Sequence, residues 1–287
     1  MRVAKSPAFG RLDNIRYSAG GEKLRQIFCD IAKDSREAAA DLLNNSSFAS
    51  LYLLLPVIKE LNLYPLLGEK VCEAASVCEY LKNKKIDCKK VRPETLKWML
   101  VSGFADDGLC DEFDQILDDC ALLLINIYKE NSILPLVARI IFDRHRRGRY
   151  TLDLIWAYFQ SCEPQALSII ADYLRSANPR DAKLASELTG FLYKKGSTPG
   201  SLKARYFQCV SWLKENYPYI YFTGEDFHQT CSPKICGVDL EGKHPCNAIS
   251  PEQMEIKRPI AQEEKSNTGQ LKNHKQFDNY TGEADGL

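Results

Sequence analysis

Apolar residues recur along most of the chain at intervals of three and four, which is the period of an α-helix packed by one face. The clearest stretch is GLCDEFDQILDDCALLLINIYKE. The apolar residues that share one face of it are Leu109, Phe113, Ile116, Leu117, Cys120, Leu124 and Ile127. About eleven or twelve such segments precede residue 217, and no alternating series typical of strands interrupts them. The pattern therefore predicts an all-α protein.

Helix-boundary residues divide this pattern into short helices joined as hairpins. A segment from Glu22 to Ala32 is followed by Asp34 and Ser35, which are both good N-caps for a second helix. Pro93 falls in the first turn of another predicted helix, where its missing N–H is not needed. Pro56 is expected to kink or end the helix that contains it. The spacing predicts an array of antiparallel helical hairpins, with an irregular helical bundle as the alternative.

One pair of segments, EPQALSIIADYLRSANPRDAKLASELTGFLYKKG, shows the hairpin pattern well. Its first apolar stripe is Ala166, Ile170, Tyr173 and Leu174, and its second is Ala182, Ala185, Leu188, Phe191 and Leu192. This pair, and the pair from Glu22 to Asn45 with KDSREAAADLL, resemble HEAT or armadillo-type repeats, in which small alanines let helices stack closely. The resemblance covers two pairs and implies an α-solenoid.

Composition shifts divide the chain into four predicted regions. Residues 1–19 are an N-terminal extension, 20–216 the helical array, 217–248 an aromatic strap with a Cys/His loop, and 249–287 a disordered tail poor in large apolar residues. The rings of the aromatic run could stack a ligand, but we favour a short extended strap that covers the last helices. These aromatic residues are Trp212, Tyr217, Tyr219, Tyr221, Phe222 and Phe227.

Charge and motif content narrow the function classes. Lys plus Arg equals Asp plus Glu, at 38 each, whereas proteins that coat nucleic acid usually carry a clear basic excess. The sequence has no Gly-rich phosphate loop, no Gly-x-Ser-x-Gly elbow and no His-Glu-x-x-His helix. Only four histidines are available for acid–base chemistry. These observations favour a non-enzymatic protein over an enzyme.

The segment MRVAKSPAFGRLDNIRYSAG lacks the apolar centre of a secretory signal, and LYLLLPVI and ALLLINIY are too short to span a bilayer. A cytoplasmic protein without a membrane partner is therefore expected, and most of its eleven cysteines should be reduced. Cysteines at helical spacing among apolar residues are expected in the core. They are Cys29, Cys72, Cys120, Cys162 and Cys209.

A cluster of cysteine and histidine follows the aromatic run, in HQTCSPKICGVDLEGKHPC. Thiolate and imidazole are the ligands that Zn²⁺ prefers in proteins. A zinc site would use Cys231, Cys236, His244 and Cys246, with His228 as an alternate ligand. The Cys-x4-Cys spacing is wider than the Cys-x2-Cys of a zinc knuckle, so a loop with incidental cysteines is the alternative.

Two basic stretches, LKNKKIDCKKVR and DRHRRGR, flank the acidic stretch DDGLCDEFDQILDD. They could contact phosphate or an acidic partner. The candidate contacts are Lys84, Lys85, Lys89, Lys90, Arg144, Arg146, Arg147 and Arg149. Cations are also favoured at helix C-termini, so solvated helix ends explain the same residues without a ligand.

The leading prediction is a non-enzymatic scaffold that presents a helical face to a protein partner. The alternative is a nucleic-acid-associated protein that uses residues 82–92 and 144–149. Some DNA alkylation-repair glycosylases are built of HEAT-like helices with a basic concave face, so the resemblance also admits a repair enzyme. A third hypothesis is a metal-dependent module at residues 228–246 that tethers the array to another molecule.

Overall fold

The computed structural model describes residues 10–82, 91–192, 201–225, 230 and 233–244. Over these residues the predicted all-α class is confirmed, because helices make up the body and the sheet has two strands. The helices are α1 Arg11–Asp34, α2 Arg36–Asn44, α3 Phe48–Glu60, α4 Glu69–Lys82, α5 Pro93–Gly103, α6 Asp111–Asn126, α7 Leu134–Arg146, α8 Leu152–Phe159, α9 Pro164–Asp172, α10 Pro179–Leu188, α11 Leu202–Asn216 and α12 Leu240–Lys243. The predicted tail, 249–287, lies outside the described residues.

Short 3₁₀ helices join several of these elements. They are Tyr64–Leu66, Phe104–Asp106, Asn131–Ile133, Tyr173–Arg175, Gly190–Leu192 and Tyr217–Tyr219. The strands β1 Ile220–Phe222 and β2 Cys236–Val238 pair antiparallel, with Tyr221 opposite Gly237. β1 coincides with the extended segment that the aromatic run predicts.

Helices pack both on their neighbours in the chain and on helices two positions away. α1 contacts α2 and α3, α3 contacts α4 and α5, and α6 contacts α5 and α8. Farther along, α7 contacts α8, α9 and α10, and α11 contacts α9 and α10. One contiguous apolar cluster, from Leu12 to Cys236, lies between these helices. In the part of the chain that the structure describes, no helix is both long enough and apolar enough to cross a membrane.

Local signals set several helix boundaries as predicted, and one differs. Ser35 caps α2 by accepting a hydrogen bond from the amide of Ala38, and Pro93 is in the first turn of α5. Pro56 lies inside α3, which continues to Glu60. α1 begins at Arg11, before the predicted start of the array at residue 20, and Gly20 kinks it with φ of +83°. The ψ of Gly20 is 170°, which is not helical, so α1 consists of two helical segments, and the second contains the predicted segment Glu22–Ala32. A glycine adopts this conformation at little cost.

The predicted apolar face of α6 is confirmed in its centre and wrong at its ends. Its buried apolar residues include Phe113, Ile116, Leu117, Cys120 and Leu124. Leu109 and Ile127 lie outside the helix and are exposed. Periodicity alone extended the helix past both termini, where the backbone turns away from the core.

Cys120 and Cys209 are buried as predicted, and Cys29 and Cys72 are half-buried. The prediction for Cys162 was wrong, because this residue is exposed. It follows α8 in the left-handed conformation, with φ of +53°. This turn directs the chain out of the core before α9 begins.

Four helices are followed, two or three residues beyond their last residue, by a residue with this left-handed backbone. Asn62 follows α3, Lys129 follows α6, Gly148 follows α7 and Cys162 follows α8. Such a residue lets the next amides bond back to the last carbonyls of the helix, as Glu130 does with Leu124. Lysine and cysteine adopt this conformation at a cost that glycine avoids.

We predict opposite effects for substitutions at two of these positions. Gly148→Ala should lower the free energy of unfolding by about 1 kcal/mol, because the new Cβ meets no atom but requires positive φ. Cys162→Gly should raise it by about 0.5 kcal/mol, since relief of strain exceeds the added chain entropy. Urea denaturation measures both values.

Gly190→Ala is the control for this comparison. An added Cβ at Gly190 also meets no atom within 4 Å, but φ is not in the left-handed region. This substitution should leave stability unchanged or raise it slightly. Equal losses at Gly148 and Gly190 would contradict the conformational explanation.

Candidate functional site

The four arginines of the second basic stretch all contact carboxylates of the same molecule. Arg144 and Arg146 lie in the last turn of α7, and Arg147 and Arg149 follow it. Their main partners come from the acidic stretch and from α10. The ion pairs are Arg144 with Asp107 and Asp118, Arg146 with Asp143 and Asp181, Arg147 with Asp107, and Arg149 with Asp114.

Two consecutive aspartates form the centre of this network, which we call the Asp106–Asp107 corner. Asp106 accepts two hydrogen bonds from Arg16 of α1, at 2.5 and 2.8 Å. Asp107 is 2.7 Å from Arg144 of α7 and also accepts a bond from Arg147. The side chains of Arg16, Asp106, Asp107 and Arg144 are each at most 7% exposed. The corner therefore ties α1 to α7 through buried charges.

Gly108 directly follows the corner and leaves space for it. Its φ is +100°, and an added Cβ would lie 2.6 Å from Arg147 Nη1. Its amide donates to Asp114 Oδ1 at 2.6 Å, which fixes the start of α6. A side chain here would displace the guanidinium that covers Asp107.

Burial changes the proton affinity of these groups. It raises the pKa of the Asp118 carboxyl to about 7, although Arg144 at 2.8 Å opposes the shift. Asp107 and Asp119 add negative charge near Asp118 and raise its pKa further. Burial alone would lower the pKa of Arg144, but the carboxylates of Asp107 and Asp118 raise it above its ordinary value.

Similar contacts continue to both sides of the corner. Buried Asp13 of α1 accepts bonds from Ser47 and Ser50 Oγ at 2.5 and 2.6 Å, which holds the start of α3. At the other side, Asp181 of α10 accepts from Arg146 Nε at 2.7 Å. The polar contacts thus link helices that are far apart in the sequence.

The other predicted ligand residues are only partly described. Lys84, Lys85, Lys89 and Lys90 lie outside the described residues. Of the proposed zinc ligands, Cys231 and Cys246 also lie outside them, as does the alternate ligand His228.

Cys236 and His244 are the two zinc candidates that the structure describes. Cys236 is buried in β2, and burial raises the pKa of its thiol to about 12, so the thiol is protonated at neutral pH. His244 is exposed. Among the residues that the structure describes, no three Cys, His, Asp or Glu side chains are grouped so that they could hold a metal ion.

The aromatic run divides between the core and the surface. Trp212, Ile220 and Phe222 pack against the core, whereas Tyr217 and Tyr221 are exposed. Tyr219 is half-buried, and Phe227 lies outside the described residues. The strap therefore covers the end of the array with alternate residues of β1 and presents other rings outward.

A groove lies between α10 and α11, with a volume of about 470 Å³. Its lining residues are Pro179, Lys183, Ser186, Glu187, Ser201, Leu202 and Arg205. Arg205 crosses it and donates a hydrogen bond to Ser186 Oγ. Cavities of several hundred Å³ are large enough for a small ligand or for side chains of a partner.

The face of α11 that points away from the core carries a large exposed apolar ring between two lysines. We call Lys203, Phe207, Val210 and Lys214 the α11 ridge, because their spacings of four, three and four place them on one face. Phe207 is 58% exposed, and the two lysines are exposed. Sequence patterns did not single out this ridge or the groove, whose basic residues are spread over two helices.

The stretch of sequence that contains these two features is basic. Residues 173–214 hold eight lysines and arginines and two acidic residues, in a chain that is neutral overall. One of the two acidic residues, Asp181, is buried against Arg146 and Ser176. A count of charge along the sequence indicates this region, although its basic residues are more widely spaced than those of the two basic stretches.

The chain matches no protein-family model, no curated protein and no solved structure.

We predict that the Asp106–Asp107 corner stabilises the fold far more than exposed ion pairs do. Asp107→Asn should lower the free energy of unfolding by about 3 kcal/mol, because the buried Arg144 keeps only one of its two carboxylate partners, Asp118. Glu22→Gln is the matched control, since Glu22 pairs with Arg25 but is 93% exposed. It should cost at most about 0.5 kcal/mol. If urea denaturation gives similar losses of stability for Asp107→Asn and Glu22→Gln, the stabilising role of the corner is contradicted.

We predict a pH-dependent difference between the wild type and Asp118→Asn. The folded-state pKa near 7 exceeds the value of about 3.9 for an unfolded aspartate, so the wild type loses stability as pH rises between these values. Asparagine does not titrate, so as pH rises the free energy of unfolding of the variant should increase relative to that of the wild type by up to about 1.4 kcal/mol per pH unit. Urea denaturation at pH 5, 6 and 7 measures this gain. A difference in the free energy of unfolding that stays the same at all three pH values would contradict this prediction.

Proposed function

We propose that the protein is a non-enzymatic scaffold that binds a protein partner through the α10–α11 end of its helical array. The α11 ridge is the observation that carries the proposal. Phe207 projects from a helix otherwise anchored by Cys209, Leu213 and Asn216, which are buried. A large exposed ring between two lysines suits a partner with apolar and acidic side chains.

The packing pattern supports a HEAT-like architecture for this scaffold. Contacts between helices two apart, such as α1 with α3 and α9 with α11, are typical of stacked hairpins in an α-solenoid. In such arrays the last unit has no further repeat to cover its outer side. α11 is the last long helix among the described residues, and only the four-residue α12 follows it.

The nucleic-acid alternative has less support. Arg144, Arg146, Arg147 and Arg149 contact carboxylates in the same molecule, and Arg144 is only 4% exposed. The buried Arg144 would have to leave its ion pairs before it could contact phosphate, and in the other three arginines an intramolecular carboxylate already offsets the charge. No specific observation in the described residues favours a repair enzyme over a scaffold.

Site-specific photocrosslinking in the cells that express the protein tests the proposal. A benzophenone amino acid at position 207 should yield a discrete adduct that protease removes and nuclease does not. The same amino acid at position 80 is the control, because Tyr80 of α4 is 48% exposed but lies outside this face.

The expected result is an adduct from position 207 and none of the same size from position 80. Lys203→Glu combined with Lys214→Glu should reduce the adduct severalfold, since the flanking charges are reversed. Equal adducts from both positions would contradict the proposal. An adduct removed by nuclease would favour the nucleic-acid alternative.

A further inference from the structure

We infer that the groove between α10 and α11 binds an acidic peptide segment that also carries an apolar side chain. This inference rests on the proposed scaffold function and specifies the chemistry of the partner. Three observations carry it: a concave space between two helices, positive charge around that space, and apolar groups at its rim.

The groove runs along α10, from its first turn to its last, and past the first turn of α11. Pro179 begins α10 and Lys183 follows one turn later, while Ser201 caps α11 and Leu202 begins it. Ser201 Oγ accepts the amide of Ala204 at 3.2 Å, which fixes the start of α11. The bond from Arg205 to Ser186 holds the two helices together across the floor.

Charge around the groove favours an anionic ligand. Lys183 is 77% exposed and lies 4.0 Å from Glu187 of the same helix, so this long contact leaves its ammonium group largely in water. Arg205 also lines the groove, so its lining carries two basic side chains and one acidic one, Glu187. The positive end of the α11 dipole adds to this field.

The same lining favours a peptide over a nucleic acid. Leu202, which is 41% exposed, and Pro179 offer an apolar contact that a sugar–phosphate backbone does not use. Glu187 is 55% exposed and would repel phosphates and carboxylates alike, so it favours a ligand whose negative charges are few and separated. A peptide can place its carboxylates near Lys183 and a leucine near Leu202 while its backbone passes Glu187.

Fluorescence anisotropy with the full chain tests the inference. The probe is a short fluorescein-labelled peptide that contains Asp, Glu and Leu. The comparison probes are the same peptide with Asn and Gln in place of Asp and Glu, and a single-stranded oligonucleotide of equal charge. The acidic peptide should bind at least about tenfold more tightly than either comparison probe, because only it matches both charge and apolar contact.

Two variants change the groove without threatening the fold. Lys183→Glu reverses an exposed charge, and Leu202→Asp places an acidic residue in the first turn of α11, where the helix dipole favours it. Each should weaken binding of the acidic peptide by at least about fivefold. Lys33→Glu is the control, because Lys33 is 72% exposed and pairs with Asp30 within its own helix. It should leave binding within about twofold of the wild type.

The inference is overturned if the amide-containing peptide binds as tightly as the acidic one, if Lys183→Glu and Lys33→Glu have equal effects, or if no acidic peptide binds. If the oligonucleotide binds more tightly than the acidic peptide, and the same two groove variants weaken its binding, the ligand of the groove is a nucleic acid and not a peptide. If no acidic peptide binds but position 207 still yields its adduct, only the proposed acidic-peptide ligand of the groove is refuted. If position 207 yields no adduct either, the proposed scaffold function is refuted as well.

Discussion

The Asp106–Asp107 corner is the constraint on which the array depends. Its two carboxylates hold arginines from helices that are more than a hundred residues apart in the sequence, Arg16 in α1 and Arg144 in α7. A charge in such a buried position is costly unless its partner stays in place. Because the two aspartates are adjacent, a displacement of either arginine is transmitted to the other through one short backbone segment.

This internal pairing also determines where charge remains available on the surface. The acidic residues around Asp114 and Asp118 neutralise the arginines that follow α7, although the sequence places both groups in long single-sign stretches. Among the described residues, α10 and α11 carry exposed basic side chains beside a groove and an exposed ring. The buried residues of α11 are Cys209, Leu213 and Asn216, so a change on its outer face should cost little stability.

Local signals made the helices predictable. The period of three and four identified Phe113 and Leu117 as buried, and Ser35 and Pro93 marked helix starts because capping depends on neighbouring residues. Pairing of Asp107 with Arg144 depends on tertiary contacts that no local pattern contains. The groove could not be predicted from the sequence, because Lys183 and Arg205 lie on different helices. The prediction that Cys162 lies in the core was wrong because the cysteine side chain gives no sequence signal for the left-handed turn that it adopts.

Native-state hydrogen exchange on Arg16→Met tests the role of the corner most directly. The substitution keeps much of the apolar stem but leaves Asp106 buried without its guanidinium partner. If the corner couples α1 to α7, amides of α7 should exchange faster in the variant than in the wild type, and this acceleration should exceed that in α4, which has no part in the corner. Faster exchange confined to α1 and α3, with α7 unchanged, would contradict the account.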